Sequence, residues 1–80
     1  MEASPQPGRQ LDISRVMIPF SLIVCKSTLA RMSAGAVLEI RLQDPETLQD
    51  LLMILNRSGD QILAWEQQND DYCLWVRKKT

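Results

Sequence analysis

Residues 37–59 read VLEIRLQDPETLQDLLMILNRSG, and this stretch predicts a strand that passes through a sharp cap into a helix. Apolar and polar side chains alternate through its first six residues, as is typical of a half-buried β-strand. The apolar side chains of that strand are Leu38, Ile40 and Leu42. Asp44 then offers a side-chain oxygen to the first N–H groups of a helix, and Pro45 suits the first helical position.

The helix that begins at Pro45 has an apolar face made of leucine. These residues recur at intervals of three and four, which is the spacing of one helix face. They are Leu48, Leu51, Leu52 and Leu55. The pattern ends at Ser58-Gly59, because glycine readily adopts the positive φ of a helix C-cap. The sequence therefore predicts an amphipathic helix that packs against a sheet on one side.

Upstream of this segment, the chain again shows a strand followed by a helix. Leu11 and Ile13 alternate with polar residues, which predicts a first strand over residues 9–14. Pro19 suits the first turn of a helix, and the helical pattern extends to about Met32 before a glycine interrupts it. The first helix is therefore expected over residues 19–32.

One stripe of this first helix is expected to face the sheet. Its members are Leu22, Cys25, Leu29 and Met32. Phe20 and Val24 fall outside the stripe and are expected to lie at the surface. Cys25 is expected to act as a small buried hydrophobe, because a thiol in apolar surroundings has a raised pKa.

Two strands joined by a polar turn are predicted at the end of the chain, over residues 61–67 and 72–77. In the last strand, Cys73 and Trp75 share one face, and the alternation leaves open which face meets the helices. Trp65 and Trp75 are expected to be cross-strand neighbours in this hairpin, or to form a solvent-exposed aromatic patch.

The predicted order β-α-β-α-β-β, with two single-faced helices, indicates an α/β two-layer sandwich of the α+β type. Both helices are expected to lie on one face of a mixed four-stranded sheet. A chain of 80 residues supports one hydrophobic core, so residues 9–80 form a single predicted domain. Residues 1–8 contain two prolines and no apolar run, and they are expected to form a flexible leader.

Composition excludes several classes of function. Nine basic residues nearly balance ten acidic ones, so an RNA-binding groove is not expected despite the terminal run Arg77-Lys78-Lys79. The chain has two cysteines and no histidine, and neither a metal site nor a cofactor is predicted. It lacks a secretory signal and a membrane-length apolar run, which predicts a cytoplasmic protein with reduced thiols.

Several short motifs, taken with their spacing, resemble the TusA/SirA-like family of sulfur carriers. The matching segments are Leu11-Asp12, Gly35-Ala36-Val37-Leu38-Glu39-Ile40, Gln43-Asp44-Pro45 and Arg77-Lys78. This resemblance covers about residues 11–79. It implies a fold similar to the C-terminal domain of bacterial translation initiation factor three, and a role in sulfur relay.

The resemblance also exposes a departure at the start of the first helix. Family members carry Cys-Pro-x-Pro there, whereas this chain has Ile18-Pro19-Phe20-Ser21. Ile18 would then occupy the position of the cysteine that carries the persulfide. Since isoleucine has no nucleophilic atom, no catalytic residue is expected at the family position.

Three readings of function follow from that departure. The leading one is a non-catalytic docking or regulatory module that binds a protein partner, either a sulfur-relay component or a second copy of itself. Its expected partner-binding residues are Met17, Ile18, Pro19, Phe20 and Val24. A second reading keeps sulfur transfer and assigns it to Cys25 or Cys73. A third is an RNA-binding module, which the acidic balance disfavours.

Overall fold

The predicted order of six elements is present in the computed structural model, which describes residues 8–17 and 20–79. The elements are β1 (Arg9–Asp12), α1 (Phe20–Ala30), β2 (Val37–Leu42), α2 (Pro45–Ser58), β3 (Gln61–Gln68) and β4 (Asp71–Arg77). Residues 1–7 of the expected leader lie outside the described residues. Gly8 donates its backbone N–H to the carbonyl of Val37, 2.8 Å away, just before β1 begins.

Helix α1 is shorter at its C-terminal end than the sequence predicts. It ends at Ala30, because the N–H groups of Arg31 and Met32 bond to carbonyls three residues back instead of four. Such bonds tighten the last turn of a helix into a 3₁₀ turn. The predicted helix start at Pro19 lies outside the described residues, and Phe20 is the first helical residue described.

The strands form one mixed sheet in the order β1-β2-β4-β3. Strands β1 and β2 are parallel, whereas β4 runs antiparallel to both β2 and β3. The two helices pack on one face of this sheet, as predicted. Since β4 is antiparallel to both of its neighbours, β2 and β3 are parallel to each other. Each helix thus connects two parallel strands, and α1 and α2 both start at the end of the sheet where β1 and β2 end.

The pairing of β2 with β4 decides which face of the last strand meets the helices. Leu38 lies opposite Val76, and Ile40 lies opposite Leu74. All four side chains are fully buried in the core. Cross-strand neighbours share a face of a sheet, so Cys73 must point to the other, open face.

The expected pairing of Trp65 with Trp75 is wrong. A β-bulge at Leu63 shifts the register, so that Ala64 lies opposite Trp75 and Trp65 lies opposite Leu74. One extra residue moves every later side chain of β3 to the other face of the sheet. Trp65 therefore lies on the helix side, where its ring centroid is 6.2 Å from that of Tyr72.

The hydrophobic core contains most of the residues that the periodicity predicts. Cys25 and Leu29 are buried at the centre of the α1 stripe, while Leu22 and Met32 are half-buried at its margin. In α2, Leu48, Leu51 and Leu55 are buried and Leu52 is half-buried. The core thus lies between the leucine face of α2, the inner face of α1, and the helix side of β2 and β4.

Helix α2 has the cap at each end that the sequence predicts. The carboxylate of Asp44 accepts hydrogen bonds from the backbone N–H and the hydroxyl of Thr47, at 3.1 and 2.7 Å. The hydroxyl bond is the largest of the effects that lower the pKa of Asp44. At the other end, Gly59 adopts a left-handed conformation with φ of 88°.

Replacing Gly59 with alanine is expected to lower the free energy of unfolding by about 1 kcal/mol, because alanine is strained at positive φ. Space is not the cause, since an added Cβ would lie 3.5 Å from the nearest atom, in the Lys79 side chain. Urea denaturation measures the difference. Gly59→Asn is the matched control, because asparagine tolerates this conformation better. An alanine variant as stable as the native protein would contradict the expectation.

Candidate functional site

The loop between β1 and α1 is held in place by backbone hydrogen bonds. Ile13 donates to the carbonyl of Arg41 at 2.9 Å, which extends the parallel pairing by one residue, and Val16 donates to the carbonyl of Ile13 at 3.1 Å. The N–H of Ser14 bonds to the carboxylate of Asp12, and this bond is the main cause of the lowered pKa of Asp12. These contacts position the start of α1 beside the end of the sheet.

The start of α1 presents apolar side chains to solvent. The first helical hydrogen bond described there runs from the Ser21 N–H to the Met17 carbonyl, at 3.0 Å. Met17 is 77% exposed, Phe20 63% and Ile23 55%. We call these three residues the α1 entry surface. Ile18 and Pro19, which were expected to share this surface, lie outside the described residues.

The structure separates the expected docking residues into two groups. Met17 and Phe20 are exposed, as predicted, but Val24 is half-buried and packs against the core, so its assignment to the surface is wrong. Val24 lies between the buried and the exposed sides of a helix that is apolar almost all round. Ile23, which was not among the expected residues, is exposed on this surface instead of Val24. Its spacing of three residues from Phe20 is the signal that could have identified it.

Ser21 is a polar residue of this region that the sequence reasoning missed. Its side chain is buried, and its hydroxyl has no hydrogen-bond partner among the described residues. An unpaired buried hydroxyl costs roughly 1–3 kcal/mol in proteins. The helix start therefore combines an apolar outer surface with a buried serine on its inner side.

Cys25 lies on the inner face of α1 and is completely buried. Burial raises the pKa of its thiol from 9.0 to about 12. The thiolate is the nucleophilic form of cysteine, so both the burial and the raised pKa disfavour reaction of this thiol at neutral pH. The prediction that Cys25 is a core residue is confirmed.

Cys73 lies on the open face of the sheet but is covered by its neighbours, with 5% of its surface exposed. Arg41 and Glu66 flank it on the adjacent strands. Desolvation and the nearby negative charge of Glu39 raise the pKa of its thiol. On the same face, the indole N–H of Trp75 donates to the carboxylate of Glu39 at 3.1 Å and helps to hold that charge there.

Neither thiol is therefore placed to act as an activated nucleophile. The described residues also contain no group of three or more His, Cys, Asp or Glu side chains that could hold a metal ion. The start of α1 instead has three exposed apolar side chains, which could form a contact area for another molecule. Within residues 8–17 and 20–79, no helix is long and apolar enough to cross a membrane.

A family model described as "Sulfurtransferase TusA" matches residues 9–78, which span all six elements of the fold. The chain belongs to the TusA family. Sulfur carrier protein TusA from Pseudomonas putida strain W619 is 26% identical to it over 73 residues, which cover 91% of each chain. The corresponding carrier from Allochromatium vinosum is 24% identical over 70 residues, 88% of this chain and 92% of that one.

A solved structure has the same fold as this chain. The SirA-like protein from Desulfitobacterium hafniense superposes on this chain with a TM-score of 0.77. The match covers 90% of this chain and 99% of that protein at 20% sequence identity. At this level of identity, the likeness concerns the arrangement of helices and strands and carries no information about chemistry.

Proposed function

We propose that this TusA-family chain is a non-catalytic docking or regulatory module, and that its α1 entry surface binds a protein component of a sulfur relay. The observation that carries the proposal is the exposure of Met17, Phe20 and Ile23 around a helix start where the sequence has isoleucine. A carrier needs a thiolate at that point. This chain offers hydrocarbon there.

The chemistry of a helix start explains why the replacement matters. A cysteine there meets unpaired N–H groups and the positive end of the helix dipole, which stabilise its thiolate and lower its pKa. Ile18, placed at this position by the family motif, has no atom that can form a sulfur–sulfur bond. Cys25 and Cys73 have raised pKa values and are buried, so they are poor substitutes.

The α1 entry surface is suited to a protein partner. Burying a phenylalanine side chain contributes roughly 1.5–3 kcal/mol, and large exposed apolar groups at one place mark contact sites. The formal net charge of −1 also favours an apolar protein contact over nucleic-acid binding, because the chain has no excess of positive charge to attract phosphates. We place this interaction in the cytoplasm, where the two unpaired cysteines would stay reduced.

Phe20→Asp is expected to reduce partner binding at least tenfold, because a buried unpaired carboxylate would oppose the apolar contact. Tagged native protein, Phe20→Asp and Met53→Asp would be compared for recovery of cysteine desulfurases and other sulfur-relay proteins by quantitative mass spectrometry. Met53 is the matched control, since it is an apolar residue on α2 that is also more than half exposed. Equal recovery by all three proteins would remove the α1 entry surface as the binding site.

The non-catalytic part of the proposal has its own test. The chain would be incubated with a cysteine desulfurase and cysteine, with a TusA-family carrier that has the Cys-Pro-x-Pro motif as the positive control. Intact-mass spectrometry should find one added sulfur atom on the control and none on this chain. A persulfide on Cys25 or Cys73 that passes to an acceptor would favour the sulfurtransferase reading instead.

A further inference from the structure

The outer edge of β3 is a second surface that the proposed function does not use. β3 is the last strand in the order β1-β2-β4-β3, and no other strand of the described chain pairs with its outer side. It is eight residues long, and every residue from Ala64 to Gln68 is exposed. Along such an edge, alternate residues direct their N–H and C=O groups away from the sheet.

This edge lacks most of the features that keep edge strands from pairing. Proteins protect such edges with lysine, proline, short strands or bulges. β3 reads QILAWEQQ, without lysine or proline, and Glu66 is its sole charged residue. Its bulge lies at Leu63, so the segment from Ala64 to Gln68 pairs regularly with β4. By contrast, the opposite edge strand, β1, has four residues, of which Arg9 and Asp12 are charged.

Trp65 lies in the middle of the unprotected segment. One side of its ring meets Tyr72, yet 46% of the residue remains exposed because no strand of residues 8–17 and 20–79 lies beyond β3. A tryptophan half-covered at a sheet edge, next to free backbone hydrogen-bonding groups, resembles an interface residue more than a core residue.

We propose that the outer edge of β3 binds β3 of a second copy of the chain in antiparallel orientation, forming one continuous eight-stranded sheet. When two copies of one strand are related by a two-fold axis, they run antiparallel, and the outward N–H groups of each copy face the outward C=O groups of the other. A second copy of β3 can therefore form these hydrogen bonds without any change in its backbone. The net charge of −1 leaves little repulsion between copies.

The side chains favour one register of this pairing. If the axis passes through Trp65, the two tryptophans become cross-strand neighbours, and Glu66 lies opposite Ala64 of the other copy. If it passes through Glu66, the two Glu66 carboxylates lie directly opposite each other, which is destabilising. The expected interface is therefore centred on Trp65.

This interface is independent of the docking surface proposed above. α2 packs against β3, and α1 lies beside α2. The α1 entry surface on Met17, Phe20 and Ile23 contains no β3 residue, so a dimer of this kind leaves it free. Failure of either proposal would leave the other standing.

Trp65→Lys is expected to abolish the association, because it places two lysines opposite each other at the centre of the interface. Sedimentation equilibrium of the native protein from micromolar to millimolar concentration should show the mass rise from 9.1 kDa to twice that value. Trp65→Lys should stay at the monomer mass. Met53→Lys, which changes an exposed apolar residue of α2, should associate like the native protein.

Hydrogen exchange of the native protein supplies a readout that needs no variant. The outward-facing amides between Ala64 and Gln68 should become protected as the protein concentration rises, while those of β1 do not change. A native protein that stays monomeric at millimolar concentration overturns the proposal, even if an extended peptide of another protein adds to the edge. A dimer that Trp65→Lys leaves intact also overturns it, because its interface must then lie elsewhere.

Discussion

Leu51→Ala is expected to lower the free energy of unfolding by about 3 kcal/mol, within the range of roughly 2–5 kcal/mol found for such changes. Leu51 is fully buried in α2, at the centre of the core. Alanine would lose the transfer free energy of the removed carbons and leave a cavity that neighbouring side chains fill incompletely. Urea denaturation followed by circular dichroism measures the change.

That loss is large for a chain of this size. Domains are stable by roughly 0.05–0.15 kcal/mol per residue, so one core leucine represents a sizeable fraction of the total. Met53→Ala is the matched control, because Met53 lies two residues away on the same helix and is 54% exposed. Its effect should stay within about 0.5 kcal/mol. Similar losses from both variants would contradict the assignment of the leucine face to the core.

Cys25 is expected to make the folded protein sensitive to alkaline pH. The pKa of its thiol is about 12 in the folded protein and 9.0 when unperturbed. Below pH 9 the thiol is protonated in both states, and its contribution to stability is fully present. As the pH rises between the two values, the unfolded chain loses the proton and the folded chain keeps it, so stability falls by about 1.4 kcal/mol per pH unit.

The matched variant for this measurement is Cys25→Ala, which removes the thiol and leaves all other titrating groups in place. Its free energy of unfolding should fall less steeply above pH 9 than that of the native protein. A thiol reagent provides a second readout: Cys25 should react slowly in the folded protein and rapidly in denaturant. Parallel pH profiles, together with rapid labelling of folded protein, would show that Cys25 is accessible.

The segments that the sequence predicts best are those in which local signals agree. Several local signals in β2 and α2 predict the same strand, cap and helix. They are the alternation in β2, the Asp44 cap, the leucine face and Gly59. Each signal depends on neighbours within a few residues, so no distant contact has to be known. The mixed four-stranded sheet with both helices on one face also follows from the order of elements, since each helix is apolar on one side and connects two strands.

The candidate site was harder to predict because α1 is apolar almost all round. Its sequence, FSLIVCKSTLA, supports more than one buried stripe, and side chains at the margin depend on how far the helix rotates against the sheet. Met17 and Phe20 were correctly placed at the surface. For this reason, the half-buried position of Val24 and the exposure of Ile23 differ from the prediction.

The β3–β4 hairpin could not be predicted in detail for a different reason. The apolar run from Ile62 to Trp65 contains no residue that marks Leu63 as a bulge, yet the bulge moves Trp65 to the helix side and separates it from Trp75. Likewise, the open-face position of Cys73 and its cover by neighbouring strands depend on residues more than thirty positions away, on β2. The effect of Glu39 on the thiol pKa depends on the same pairing.

The sequence by itself determined the order of elements, the caps of α2 and the leucine face of the core. It also determined that position 18 has no cysteine. Each of these features depends only on residue identity or on the spacing of residues over a few helical turns. The tertiary structure alone decided whether Val24 and Ile23, at the margin of the α1 stripe, meet solvent, which face of β4 meets the helices, and which strand edge of the described residues is left unpaired. Those outcomes depend on the order, register and rotation of elements distant in the chain, and a register shift of one residue would turn the other face of β4 to the helices.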